Sequence, residues 1–382
     1  MFLSRLKGLL HSIFDRTDWI LVGAIVPILG ASLLTMNSFT GDGHYFSRQV
    51  IWILISFVVF FSFSFVDFRF LRRSGIQMAL FVIICIILAL LFIVGHISKG
   101  AQSWFQLGLF SIQPSDPAKV VLILILAKYF SRRHIEIANI RHIVVSGAYA
   151  AVIFFLVLLQ PDFGSAIIIF MIWLGMVLVS GLSKKHLLGV FLIGVASFSA
   201  LWLYGFRDYQ KARIMTFIHP LADVRDTGYN AYQSTIAVGS GQVVGKGIGY
   251  GTQSRLKFLP EYQTDFIFAA FAEEWGFVGA LILFVLYCII MVRILTAAYY
   301  GDTNFEMLFG LGVGIFFLAH FFINVGMNIG LLPITGTTIP FMSYGGSHLL
   351  TEFGALGILM GMRAYRKAAR KDMMTNEFLG PA

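Results

Sequence analysis

Ten blocks of apolar residues run through the chain, at 19–36, 49–66, 77–95, 117–130, 143–159, 165–181, 186–204, 266–292, 306–330 and 346–362. A hydrocarbon core of ~30 Å is crossed by about 20 such residues in a helix. Lipid offers no partner to a backbone N–H or C=O, so a helix is the form these blocks must take. An outer-membrane barrel would need short alternating runs, which the blocks are not. Charged residues make up 12% of the 382 positions, against ~25% in an ordinary soluble domain. The chain therefore reads as an all-α polytopic membrane protein, a bundle of about ten transmembrane helices. Residues 1–382 are treated as a single integral membrane domain. The fourth block is short and holds Lys119 and Lys128, so it must begin near Ser115 or be shielded by other helices.

The net charge of +9 is first a matter of topology. With the N-terminus inside, the inner segments hold Arg5, Lys7 and Arg16; Arg69, Arg72 and Arg73; and Lys128, Arg132, Arg133 and Arg141. Lys184 and Lys185, Arg293, and then Arg363, Arg366, Lys367, Arg370 and Lys371 complete the set. The short outer loops hold only Arg48 and Lys99. This asymmetry places both termini in the cytoplasm. No basic stripe interleaved with aromatics appears, so no nucleic-acid partner is expected. Cys85 and Cys288 both lie in apolar blocks, which argues against a disulfide framework. The first block has no small-residue cleavage site after it and is expected to be retained.

The informative residues lie on the outer side, in 96–116, 160–164, a large extracytoplasmic loop at about 205–264, and 331–345. Several face the membrane interior, where a charge costs about 2.5 to 3.5 kcal/mol on insertion scales. His320, Asn324 and Asn328 recur every four residues on the ninth block, and His348 and Glu352 do the same on the tenth. Each residue alone reads equally well as interhelical glue; two adjacent stripes suggest a water-filled cavity. In Gln113-Pro114-Ser115-Asp116-Pro117-Ala118-Lys119, Asp116 is placed as an N-cap with Pro117 at the first helical position. Lys119 then sits in the first turn, where the helix dipole repels it. Asp116 at i, i+3 or a bound phosphate must answer it. Asp162 sits in a tight turn at the outer rim, where a turn aspartate is the plain reading.

The run from Gly239 to Gly251 has the look of a nucleotide loop but fails the test, because Gly247 follows Gly245-Lys246 where a P-loop needs Ser or Thr. A flexible or closely packed outer loop is expected. In Leu259-Pro260-Glu261-Tyr262-Gln263-Thr264-Asp265-Phe266, two carboxylates fall four residues apart as an apolar block begins. On a helix they would share a face. Position alone makes Asp265 an N-cap; a dry, like-charged mouth would instead raise its pKa toward that of a general base.

These motifs resemble the SEDS family (shape, elongation, division and sporulation), its RodA-like branch more than its FtsW branch, over nearly the whole chain. The marks are Gln113-Pro114-Ser115 with Lys119, Gln160-Pro161-Asp162-Phe163-Gly164, Tyr232-Gln233-Ser234, Gly245-Lys246-Gly247, the Pro260 to Phe268 block, and Ile339-Pro340-Phe341-Met342-Ser343-Tyr344-Gly345-Gly346-Ser347. Gly251-Thr252-Gln253-Ser254 and Ala272-Glu273-Glu274-Trp275-Gly276 look RodA-like. The resemblance implies ten transmembrane helices and a peptidoglycan glycosyltransferase that polymerises lipid II on the outer face of the bacterial cytoplasmic membrane during cell-wall elongation. It implies a class B penicillin-binding protein as partner and places the essential aspartate at Asp265. The cavity residues it carries over are Trp104, Asp116, Lys119, Asp162, Glu261 and Ser343. Members usually have Glu at Asp116, Arg before Trp104 where Ser103 stands, His at Gln263 and a second Gly at Gln242.

On that reading Asp265 takes the proton of the acceptor's 4-hydroxyl in an inverting displacement of undecaprenyl pyrophosphate. Lys119, with Lys246 or Arg48 and a divalent cation (Mg or Mn) held by carboxylates, is expected to meet the developing charge; no Asp-x-Asp pair marks a metal site. Gly310, Gly312 and Gly314 leave room for a lipid tail or for close helix packing. The alternative from another class is a flippase that moves lipid II without bond chemistry.

Overall fold

The computed structural model describes residues 16–38, 43–98, 101–107, 110–131, 140–181, 184–206, 208–219, 228–256 and 258–379. Arg5, Lys7, Arg132, Arg133 and Lys99, counted above for topology, lie outside them. All ten apolar blocks fold as helices: α1 (Trp19–Asn37), α2 (Gly43–Phe65), α3 (Ser74–Val94), α4 (Ser115–Ser131), α5 (Ile140–Leu159), α6 (Phe163–Val179) and α7 (Lys184–Ala200). After the short helices α8 (Asp208–Ile218), α9 (Tyr229–Ser240) and α10 (Thr252–Arg255) come α11 (Ile267–Tyr299), α12 (Asn304–Asn328) and α13 (Gly346–Leu379). Three strands, β1 (His96–Ser98), β2 (Ala101–Leu107) and β3 (Phe110–Ile112), form an antiparallel meander in the segment expected to be an outer loop.

Seven of the ten helices are long and apolar enough to cross a membrane by length and composition. The protein is a multi-pass membrane protein. The other three differ for physical reasons. α4 and α6 have 17 residues each, about 26 Å at 1.5 Å per residue, whereas α7, also 17 residues, is continued to Gly205 by a π-helical turn. α13 carries His348 and Glu352 in its apolar part. Both expectations for the fourth block are met, since α4 starts at Ser115 and most of its side chains are buried.

Side-chain caps start several of these helices. Asp18 accepts from Leu21 N at 3.2 Å to begin α1, and Asp162 accepts from Ser165 N at 3.0 Å to begin α6. Thr303 accepts from Glu306 N, while the Glu306 carboxylate takes Asp302 N at 2.9 Å, a reciprocal arrangement that starts α12. At one end of the bundle ion pairs tie elements together: Asp18 accepts from Arg293 of α11 and Arg363 of α13 at 2.6 and 2.5 Å. Glu306 pairs with Arg72, in the 3-10 turn after α2.

α12 is the centre of the bundle, packed against α4, α6, α9, α11 and α13. Its glycines decide between the two readings given for them. A Cβ at Gly310 would stand 2.6 Å from Ala298 Cβ, and one at Gly312 would stand 2.5 Å from Ile123 Cγ2. Both are close-packing positions rather than room for a lipid tail. Within 205–264, α9 packs on α11 and α12, and the glycine-rich segment after it docks on α11. Lys246 N and Gly247 N donate to the carbonyls of Glu273 and Glu274, and Phe277 N and Val278 N donate to those of Gln242 and Val243. Those last two bonds form because α11 breaks at Gly276, whose φ of 67° and ψ of −166° no other residue adopts readily. Of the two loops expected there, the closely packed one is found.

Candidate active site

Two expectations about Asp265 change in the structure. Residues 259–266 are turns, Glu261 has a φ of 50°, and Glu261 and Asp265 therefore share no helix face. α11 begins at Ile267 with Phe266 as N-cap and no capping side chain, so Asp265 does not cap it. The reason lies in α12: Asn324 Nδ2 and Asn328 Nδ2 each donate to the Asp265 carbonyl at 3.0 Å, which fixes the residue just outside the helix. The Asp265 carboxylate lies against Gly336, where a Cβ would be 3.5 Å from Oδ2. Glu261 accepts from Thr264 Oγ1 at 3.3 Å.

Ser343 joins this segment to the loop before α13. Its hydroxyl donates to Thr264 O at 2.7 Å and accepts from Ile339 N at 2.9 Å, and Tyr344 N donates to Gln263 O at 2.8 Å. Gln49 Nε2 of α2 donates to Ser343 O at 3.2 Å. Arg48, one residue earlier, donates to the Tyr344 hydroxyl; burial nevertheless pushes that phenol above its ordinary pKa, so it stays protonated. Arg48 is thus placed beside the Asp265 segment.

Behind the segment lies a buried ionic network. Lys119 Nζ is 2.9 Å from Asp116 Oδ1 and 3.4 Å from His320 Nε2, and only 1% of Lys119 is exposed. The anion its position demands is therefore Asp116 at i, i+3. Helix α4 begins one residue before Asp116, which corrects the N-cap assignment: Asp116 lies in the first turn. His320 Nδ1 faces Thr338 O at 3.1 Å. A carbonyl can only accept, so Nδ1 carries the hydrogen and Nε2 accepts from Lys119. His348 stands between Asp116 Oδ1 at 3.2 Å and Glu352 Oε1 at 2.9 Å. Of its two nitrogens only Nδ1 is hydrogen-bonded, to Asp116, while Nε2 lies close to Glu352 Oε1 without hydrogen-bond geometry. Lys119 and His348 thus lie between the two buried carboxylates, and a buried carboxylate needs such partners. Glu352 Oε2 accepts from Phe341 N at 3.0 Å and supports a residue held at a φ of 60°.

Asp162, besides capping α6, accepts from Gln113 Nε2 at 2.7 Å and joins α6 to the turn before α4. Trp104 lies on β2, opposite His96. Lys246 is placed elsewhere: Nζ is 2.7 Å from Glu273 Oε1 and 2.9 Å from Thr252 Oγ1. Glu273, fully buried, also takes Thr252 N at 2.9 Å. The structure thus gathers Arg48, Glu261, Asp265 and Ser343 on one chain of contacts, and Asp116 with Lys119 behind it. Glu273 was missed as the Lys246 partner; its signal was a pair of carboxylates inside an apolar block. Among the described residues no group of three or more His, Cys, Asp or Glu stands together as a metal cradle, and Asp116 Oδ1 is taken by Lys119 and His348.

The family model described as cell cycle protein, covering FtsW, RodA and SpoVE, matches residues 13–368. The chain belongs to this family. It is 39% identical over 298 residues to peptidoglycan glycosyltransferase MrdB of Escherichia coli strain K12, covering 77% of this chain and 79% of the relative. It is 32% identical over 373 residues to the probable peptidoglycan glycosyltransferase FtsW of Nitrosococcus halophilus, covering 94% and 96%. Among solved structures, a chain of a peptidoglycan synthase complex that coordinates polymerization and crosslinking superposes with a TM-score of 0.79 at 28% identity, covering 91% and 98%. The rod shape determining protein RodA of Thermus thermophilus superposes at 0.68 and 27% identity, covering 92% and 97%. One family departure has a visible structural cost. Gln242, where a second Gly is usual, has a φ of 50°, a region that disfavours any side chain by roughly 1–2 kcal/mol.

Proposed function

We propose that this chain is a peptidoglycan glycosyltransferase that polymerises lipid II on the outer face of the bacterial cytoplasmic membrane during cell-wall elongation, with both termini inside. A class B penicillin-binding protein would cross-link the strands it makes. The observation that carries the reading is the placement of Asp265, partly exposed, outside the helix it precedes and fixed by its own carbonyl. A base must keep one geometry while its carboxylate reaches substrate. Asp265 takes the proton from the acceptor's 4-hydroxyl as that oxygen bonds to the donor's anomeric carbon. The bond from that carbon to undecaprenyl pyrophosphate breaks with inversion. Arg48, hydrogen-bonded to Tyr344 beside this segment, is suited to meet the leaving pyrophosphate. Lys119 supplies positive charge from behind, whereas Lys246 is committed to Glu273.

The test is Asp265→Asn, purified with its partner and given lipid II. It should form no glycan strands while its melting temperature and partner binding are kept. Strands of normal length from this variant would remove Asp265 from the chemistry. Lipid II left unconsumed but translocated by the parent protein would point to the flippase instead.

A further inference from the structure

We propose that Asn324 and Asn328 of α12 are positioning residues that hold the Asp265 base in place, taking over the capping task its sequence position would otherwise give it. The inference rests on the reading of Asp265 as the general base. A helix leaves its first four N–H groups without intrahelical partners, and a polar residue just before it normally accepts one of them. At α11 that residue is Phe266, whose side chain accepts nothing. The acceptor comes from another helix: Ala269 N donates to Asn328 Oδ1 at 3.2 Å, the third N–H of α11, where a capping oxygen would act.

The rest of the two amides accounts for itself. Asn324 Nδ2 donates to Asp265 O at 3.0 Å and to Thr337 O at 2.6 Å. Two carbonyls can only accept, so the amide orientation follows from its surroundings. Asn328 Nδ2 donates to Asp265 O at 3.0 Å and to Asn324 O at 2.8 Å, and Ser234 Oγ of α9 donates to the Asn328 backbone carbonyl at 2.9 Å. Both asparagines are fully buried. The Asp265 carbonyl therefore receives two N–H donors, enough for both lone pairs, from residues one turn apart on the most buried spanning helix of the bundle. Backbone anchor and cap are thus both supplied by α12.

The experiment uses the full chain with its cross-linking partner and lipid II as probe, and compares Asn324→Leu, Asn328→Leu and Asn328→Asp. A base displaced by as little as 1 Å can lose about a hundredfold in rate. The leucine variants should lose at least about tenfold in kcat with KM changed less than about twofold. Asn328→Asp keeps the capping oxygen but loses the donor. Its second carboxyl oxygen faces the Asp265 and Asn324 carbonyls in a fully buried site, so kcat should stay low even with the capping oxygen present. Parent-like kcat in either leucine variant, or kcat recovered together with melting temperature in Asn328→Asp, would overturn the positioning role. Failure of the base itself is read separately, from strand synthesis by Asp265→Asn.

Discussion

Helices α12 and α7 have the same mean hydropathy, 2.0 in their most apolar windows, yet 72% of the α12 window is buried in the protein and none of the α7 window. Apolarity brings a helix into the bilayer and says nothing of where in the bundle it sits, because lipid tails are as apolar as a leucine side chain. What separates the two is small residues and polar ones. Gly310 and Gly312 of α12 lie at helix contacts that a methyl group would not fit, while Gly189 and Gly194 of α7 have nothing within 4 Å of where a Cβ would be. Along α12, His320, Asn324 and Asn328 are each bonded to protein groups. The buried helix is the one with internal polar obligations, and the site is built on it.

The largest expected difference between the two regions is in charge. Lys119→Met leaves Asp116 and Glu352 facing His348 alone. Breaking a buried pair in this way costs about 3–5 kcal/mol. Lys185→Met, at the start of α7, should stay within about 0.5 kcal/mol, as an isolated surface substitution does. Thermal unfolding in lipid nanodiscs compares them directly, and equal losses would break the contrast. Lys119→Met should also slow turnover at limiting lipid II; unchanged turnover there would reduce Lys119 to a structural ion pair.

A smaller effect is expected at the Asp18 end of the bundle. Burial disfavours the charged form of Asp18, but the hydrogen bonds from Arg293 and Arg363 outweigh it and hold its pKa below the ordinary value of 3.8. A depressed carboxylate contributes stability that is fully present above that ordinary value and is lost as pH falls through the folded value. The clasp joining α1, α11 and α13 should therefore weaken below about pH 4. Asp18→Asn should flatten the decline of melting temperature in that acid range while lowering it at neutral pH. A decline as steep as the parent's would mean that other carboxylates govern it.

The helices were legible because a long apolar run in lipid can only fold as a helix; length and apolarity alone account for seven of the ten. The stripes on α12 and α13 were visible as i, i+4 spacings, but their partners were not. Asn324 bonds carbonyls at positions 265 and 337, and His348 reaches Asp116 across more than two hundred residues. Such pairings depend on how helices rotate about their axes, which hydropathy leaves open. The same gap explains why Asp265 was assigned as a cap: the sequence shows which residue precedes a helix, and only packing shows that Asn328 does its work. Lys246 was grouped with the phosphate-binding cations because its charge was visible and its partner Glu273, 27 positions away, was not.

The smallest expected effects have opposite signs in the two helices. Alanine at Gly312 would place its methyl 2.5 Å from Ile123 Cγ2, closer than carbon atoms approach, so α4 or α12 must shift. Overpacking of this kind costs about 1–3 kcal/mol. Alanine at Gly194 meets nothing, and replacing glycine inside a helix removes conformational freedom from the unfolded chain. That should stabilise α7 by roughly 0.5–1 kcal/mol. The pair is read from the melting temperatures of the two single variants and of the double variant, whose effects should add because the sites share no neighbour. A destabilising Gly194→Ala would mean that α7 packs against protein on that face in the membrane, and the contrast between the two helices would narrow to their polar stripes.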